Sequence, residues 1–205
     1  MKILVLAPED SKILAWLRSI TWYSANEEET FDPRQQDIEK DEIVQTMEPI
    51  DASYIKRNNI DFIISYGYKH KIKNEVLKLL PDKVINLHIS YLPYNRGADP
   101  NFWSWLEDTP KGVTIHYVDG GVDTGDIIFR KSVQLNSYGT LRTTYEELCK
   151  SIEALFFGYW PSIRAGLCPR QKQGEGGTFH KKSDLEKYRD LLADGWDTEI
   201  WRLMR

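Results

Sequence analysis

Val84-Ile85-Asn86-Leu87-His88-Ile89-Ser90 alternates in strand fashion before meeting Pro93 and Gly97. With a side-chain period of two, Asn86 and His88 share one face while Leu87 and Ile89 take the other. Upstream, Val76, Leu77 and Leu80 predict a helix closed by Pro81, and Asp61-Phe62-Ile63-Ile64-Ser65 is a buried strand halted at Tyr66-Gly67-Tyr68. Ile3–Ala7 is a first strand ending at Pro8-Glu9-Asp10-Ser11, followed by Ile13, Leu14, Leu17 and Ile20 at helical spacing. Downstream, Pro100 opens a short helix, Pro-Asn-Phe-Trp-Ser-Trp-Leu. Val113–Val118 and Ile127–Val133 then read as strands around a Gly-rich, Asp-rich loop. The alternation predicts an α/β fold: a mostly parallel twisted sheet with helices on both faces.

Beyond the sheet, Leu141, Tyr145, Leu148, Ile152, Leu155, Phe156 and Tyr159 keep a helical rhythm, with Thr140 or Thr144 as cap and Pro161 to end or kink the helix. A polar loop, Gln171–Gly177, leads to a last segment mixing charge with Trp196, Ile200, Trp201 and Leu203. Residues 1–166 read as one main domain, and 167–205 as a short C-terminal extension. Ser24–Glu42 is polar and acidic, with no element assigned.

The 205 residues suffice for one substantial core, burying roughly 70–75% of the unfolded chain's surface. Twenty-seven Lys and Arg against 31 Asp and Glu leave a net charge of −4, which argues against a long polyanion as partner. Two cysteines, Cys149 and Cys168, make no disulfide framework. No apolar run approaches the roughly 20 residues that span a bilayer, so a cytoplasmic protein is expected. Seven Trp and eleven Tyr serve either packing or the stacking of planar ligands.

Tests for common cofactors fail. The turn after the first strand lacks G-x-G-x-x-G, which argues against NAD, and there is no Walker A sequence. His70, His88, His116 and His180 show no metal-ligand spacing, so no metal is expected. What remains lies between residues 84 and 128. An amide and an imidazole on one face of an apolar strand end are either a hydrogen-bonded core pair or a site, since ligands bind at the carboxyl ends of such strands. Val118-Asp119-Gly120-Gly121-Val122-Asp123-Thr124-Gly125-Asp126 reads either as an acidic hairpin turn or as a loop permitting close backbone approach.

The ordered series Asn86-Leu87-His88-Ile89-Ser90-Tyr91-Leu92-Pro93, Arg96-Gly97, Pro100, Gly112-Val113-Thr114-Ile115-His116 and Val122-Asp123-Thr124-Gly125-Asp126-Ile127-Ile128 resembles the folate-dependent formyltransferase family. The resemblance is dense from about Asp61 to Val133 and weak over residues 8–50. It implies a Rossmann-like formyltransferase fold, 10-formyltetrahydrofolate as cosubstrate, and a catalytic trio of Asn86, His88 and Asp123. In that reading Asn86 donates to a developing oxyanion, His88 handles the amine proton or supports the oxyanion, and Asp123 orients His88 and relays a proton. The pterin wall falls on Lys69, His70, Lys71 and Ile72, more basic than is usual in the family, with Gly120, Gly121 and Val122 opposite. The lysines and His70 either meet the folate's glutamate tail or are simply solvated.

For the acceptor, the resemblance implies contacts at Tyr94, Arg96, Gly97 and Lys181. The methionyl-tRNA branch carries a further C-terminal domain, and only some 40 residues follow the long helix here. The glycinamide ribonucleotide branch uses a Gly-Ser-Asn loop where this chain has Pro8-Glu9-Asp10-Ser11. The tail Gly177-Thr178-Phe179-His180-Lys181-Lys182, with a charged helix to follow, is similar to that of the sugar-nucleotide (amino sugar) N-formyltransferases. The expected partner is therefore a nucleotide-linked amino sugar, as in O-antigen biosynthesis. Another amine acceptor, or a non-catalytic binding module of the same fold, are the alternatives. No nucleic acid or membrane partner is expected, and the aromatic tail offers a homodimer surface.

Overall fold

The computed structural model describes residues 1–20, 22–23 and 38–204. In chain order the elements are β1 (Lys2–Leu6), α1 (Lys12–Ser19), β2 (Trp22–Tyr23), β3 (Ile38–Glu39), β4 (Glu42–Gln45), α2 (Ala52–Arg57) and β5 (Phe62–Ser65). They continue with α3 (Asn74–Leu79), β6 (Val84–His88), β7 (Arg96–Gly97), α4 (Pro100–Leu106), β8 (Gly112–Tyr117), β9 (Ile127–Ser132), α5 (Leu141–Arg164) and β10 (Phe179–His180). Three short 3-10 turns close the tail: Lys182–Tyr188, Gly195–Asp197 and Ile200–Arg202. The stretch Ser24–Glu42, to which the sequence assigned no element, lies outside the described residues over 24–37; β2 and β3 pair antiparallel at its two ends.

Six strands form the central sheet in the order β4-β1-β5-β6-β8-β9. The first four run parallel, and β8 and β9 are antiparallel to their predecessors, so the sheet is mostly parallel with a hairpin at one edge. The continuous apolar reading of β1 follows from cover on both faces. Ile3 and Val5 face α1 and α5, where Ile13, Leu14, Leu17, Leu148, Ile152, Phe156 and Trp160 close the core. Leu4 and Leu6 face the opposite layer, with Ile55 from α2, Val76 from α3 and Leu80 just past the end of α3. From β1 the chain passes to β4 on one side and then to β5 on the other. That reversal opens a crevice at the carboxyl ends of the parallel strands.

Thr140 caps α5 through a reciprocal pair: Thr143 N–H donates to Thr140 Oγ1 (3.3 Å) and Thr140 N–H to Thr143 Oγ1 (2.9 Å). Pro161 does not end the helix, which runs on to Arg164. Its missing N–H falls in the last turn, so a single bond is forgone, and Ala165 N–H still reaches the Pro161 carbonyl at 3.1 Å. The charged helix that follows the tail motif is of the 3-10 kind, Lys182–Tyr188, and the tail packs Ile200, Leu203, Leu185 and Tyr188 on Phe102, Trp103, Trp105 and Leu141. Among the described residues no helix is long and apolar enough to cross a membrane.

Candidate active site

Strand β6 brings Asn86 and His88 to the rim of the crevice, and the β8–β9 hairpin brings Asp123 across to meet them. Asn86 Nδ2 donates to Asp123 Oδ1 at 3.1 Å, and His88 Nδ1 stands 3.8 Å from Asp123 Oδ2. Asp123 has a left-handed backbone, φ 51°, and its Oδ2 accepts the Gly97 N–H at 2.9 Å. The trio therefore converges, with His88 only 7% exposed.

A fourth side chain joins it. The β6–β8 register places His116 opposite Asn86, with its Nε2 3.3 Å from Asn86 Nδ2 and 3.4 Å from Asp123 Oδ1. The sequence set His116 among isolated histidines. The signal available was the alternation of β8, where Thr114 and His116 interrupt Val113 and Ile115 as Asn86 and His88 interrupt β6.

Hydrogen bonds assign the ring protons. His88 Nε2 lies 3.1 Å from the Asn95 carbonyl, which only accepts, so Nε2 carries a hydrogen and the neutral ring has its free lone pair at Nδ1, beside Asp123. His116 Nδ1 lies 2.8 Å from the Tyr117 carbonyl, so its neutral ring accepts at Nε2 from Asn86. Burial alone raises the Asp123 carboxyl. When the two rings are protonated, the charges of His88 and His116 and a hydrogen bond from His116, together with the Gly97 N–H, outweigh it and hold the group well below the usual carboxylate range. The site thus sets an ionised carboxylate against an imidazole nitrogen that can take up a proton.

The hairpin loop is fastened from two directions. Within it, Asp119 Oδ1 accepts from Gly121 N–H (3.0 Å) and Thr124 Oγ1 (2.6 Å), and Gly125 lies so close to the Tyr117 carbonyl that a Cβ would collide with it. From outside, Gln173 Nε2 donates to the Asp123 carbonyl at 2.8 Å and the Gly125 carbonyl at 2.7 Å. Neighbouring bonds hold that segment in place: Ile127 and Gln171 exchange backbone hydrogen bonds, and Arg170 and Lys172 pair with Asp126. The sequence reading passed over Gln173 as part of a polar loop.

A cleft of about 880 Å³ surrounds the trio. One arm runs between Ser65–Ile72 and the hairpin loop, and Lys69, His70, Lys71, Ile72, Gly121 and Val122 line it. Ile72 is 5% exposed and also belongs to the core beneath. Gly120 stands outside the lining, turned against Asn74. The other arm is bounded by Asp99, Phe102, Tyr145, Phe179, His180, Lys182 and Trp196. Burial raises the Asp99 carboxyl there, opposed by the Lys182 charge.

Of the acceptor contacts implied by the sequence, Gly97 lines this arm, while Tyr94, Arg96 and Lys181 lie outside the lining. The Arg96 guanidinium donates to the Gly176 carbonyl at 3.1 Å, and the Tyr94 carbonyl accepts from Ser90 Oγ. Lys181 N–H donates to Asp184, and it is the adjacent Lys182 that reaches the cleft. Arg96 and Gly97 pair with Phe179 and His180 as β7 and β10, so the tail forms the cleft's outer wall, with the His180 ring stacked on Trp103 at 3.8 Å. No group of three or more metal-ligating side chains occurs among the described residues.

Residues 13–156 match the Formyl transferase family. The formyltransferase PseJ from Anoxybacillus kamchatkensis, solved with UDP-4,6-dideoxy-4-formamido-L-AltNAc and tetrahydrofolate, is 46% identical with a TM-score of 0.86, over 100% of this chain and 98% of that chain. Methionyl-tRNA formyltransferase of Halothermothrix orenii is 33% identical over 144 residues, 70% of this chain and 46% of its own length. The dTDP-4-amino-4,6-dideoxyglucose formyltransferase of Mycobacterium bovis is 27% identical over 131 residues, 64% of this chain and 55% of its own. The chain spans about half the length of the curated relatives it matches. Most of the chain lies within the matched region, Asn86, His88 and Asp123 among it, and the chain belongs to the formyl transferase family.

Proposed function

We propose that the protein transfers the formyl group of 10-formyltetrahydrofolate to the primary amine of a nucleotide-linked amino sugar. The observation that carries this is the meeting of Asn86, His88 and Asp123 in a two-armed cleft. Likeness over nearly the full length of PseJ, whose complex holds a UDP-linked formamido sugar and tetrahydrofolate, supports both substrates. The arm between Ser65–Ile72 and the hairpin loop suits a flat pterin, and the tail-bounded arm suits the sugar nucleotide, with Lys182 available to its diphosphate.

In this mechanism the acceptor nitrogen attacks the formyl carbon, the bond from that carbon to the folate nitrogen breaks, and the folate nitrogen gains a proton. His88 Nδ1 takes the amine proton, the Asp123 carboxylate stabilises the imidazolium that results, and that proton is returned to the departing folate nitrogen. Asn86 donates to the developing oxyanion, a contribution of about 10²–10³ in rate. In the free protein both Asn86 N–H groups are engaged, by Asp123 and by His116. A proton on His116 Nε2 turns that nitrogen from acceptor to donor and releases one of them. A cytoplasmic location, a role in formamido-sugar supply for O-antigen, and a homodimer through the exposed Trp201 and Met204 complete the reading.

The test is a mass-spectrometric competition with 10-formyltetrahydrofolate, using UDP- and dTDP-linked amino sugars, glycinamide ribonucleotide and methionyl-tRNA at equal concentration. One added formyl group on a nucleotide sugar is expected. Preference for either of the other acceptors would overturn the acceptor and leave formyl transfer standing.

A further inference from the structure

A second cavity, about 640 Å³, adjoins the first and is lined by Pro49, Ile50, Asp51, His70, Lys71, Lys73 and Asn74. His70 and Lys71 line both, so the two spaces meet across the loop after β5. In a chain of net charge −4, Lys69-His70-Lys71-Ile72-Lys73 holds three lysines and a histidine with no acid. All four are exposed, and the three lysines have no ion-pair partner among the described residues. The acidic residue that lines this groove is Asp51, and its Oδ1 already accepts the Tyr54 N–H at the start of α2 (2.7 Å). The loop is braced rather than loose: Tyr68 OH donates to the Glu48 carbonyl at 2.8 Å, and the His70 ring meets Tyr68 edge-on.

Unpaired cations on a braced loop, beside a groove continuous with the substrate cleft, suit a ligand that leaves the cleft as a flexible chain of carboxylates. We propose that this groove binds the γ-linked polyglutamate chain of the folate, with Lys69, Lys71 and Lys73 pairing successive carboxylates as the chain passes from the cleft over His70. The assignment rests on the formyl-transfer reading, which places the pterin in the arm lined by the same loop. A diphosphate would share the ionic chemistry, but Lys182 already serves the opposite arm, and Lys73 lines only the outer groove.

The test is calorimetry on the full chain with 5-formyltetrahydrofolate carrying one or four glutamates, at about 0.05 M and 0.5 M salt. Exposed ion pairs are individually weak and screened, so three of them predict about tenfold tighter binding of the tetraglutamate at low salt, falling to under about twofold at high salt. Lys73→Glu, on a solvent-exposed side chain, collapses the ratio of the two affinities toward one. Equal affinity at low salt, or a ratio unchanged in Lys73→Glu, would overturn the groove while leaving formyl transfer intact. So would a Lys73→Glu protein whose lost affinity is for UDP. Failure to bind either folate would instead overturn the formyl-transfer reading itself.

Discussion

The two walls of the cleft are built by different means. The inner wall, β6 against β8, is regular sheet: Asn86 and His116 face each other because the strands pair in register, and the apolar residues between them are buried in the core. The outer wall is irregular. Asn95, Gly97, Asp99 and Asp123 all have positive φ, and the two-residue pairing of β7 with β10 and the Gln173 clamp hold them. Asp123 chemically belongs with the inner residues but is mechanically held by the tail. The position of the Asp123 carboxylate thus depends on a segment some 50 residues away in sequence.

The sharpest division between the walls is expected on turnover. Asn86→Ala, His88→Ala and Asp123→Ala each lower kcat by about 10² or more with the fold retained, and the double variants lose less than the product, since all act on one intermediate. Near-normal turnover in folded His88→Ala would break the assignment of chemistry to the inner wall. Gln173→Ala should cost less, about tenfold in kcat with little change in KM, because it frees the loop without removing a reacting group. Gln173→Glu should be at least as damaging, as its carboxylate cannot donate to the Asp123 and Gly125 carbonyls. Gln173→Asn, one methylene shorter but still a donor, should recover part of the loss. Equal rates across all three would show that the tail is no clamp.

The same contrast explains what was legible in the sequence. The strands at Ile3–Ala7 and Asp61–Ser65 and the alternation around Asn86 and His88 are local patterns set by burial, and the structure reproduces them. Asp123 was visible only through the family motif, since nothing local distinguishes it from Asp119 or Asp126. His116 needed the β6–β8 register, which one strand alone does not encode. Gln173, Lys182 and Trp196 required the tail's path, and that path is set by backbone pairing with β7 and by contacts with Trp103 and Tyr145 rather than by periodicity. Pro161 does not by itself fix the end of α5, because in the last turn a proline forgoes one hydrogen bond and the helix runs on to Arg164.

Two glycines of the tail sharpen the mechanical half of the comparison. Gly177 has φ 86°, and a Cβ there would run into the Pro93 carbonyl, whereas Gly174 has nothing within 4 Å. Gly177→Ala should therefore destabilise by about 1–2 kcal/mol. That is a fall of roughly 2–8 °C in Tm at this chain length, with a severalfold loss of kcat as β10 loosens from β7. Gly174→Ala should stay within about 0.5 kcal/mol. Thermal melts and turnover on the pair decide the point: equal behaviour would mean that the outer wall does not need this docking.

The smallest effect concerns the charge that joins the two walls. The Asp123 carboxyl is held below its ordinary range in the folded protein, because the histidine charges, the His116 hydrogen bond and the Gly97 N–H outweigh the cost of burial. A depressed carboxyl contributes stability that is fully present above its unfolded value, about 3.9, and is lost as pH falls through the lower folded value. Asp123→Asn keeps the shape and removes that titration. The stability advantage of the unaltered protein over Asp123→Asn should therefore narrow between about pH 5 and pH 2.5, by a few degrees in Tm at most. Parallel losses on acidification would mean that Asp123 titrates alike in both states. The carboxylate would then be less tightly coupled to His88 and His116 than distances of 3.8 and 3.4 Å require.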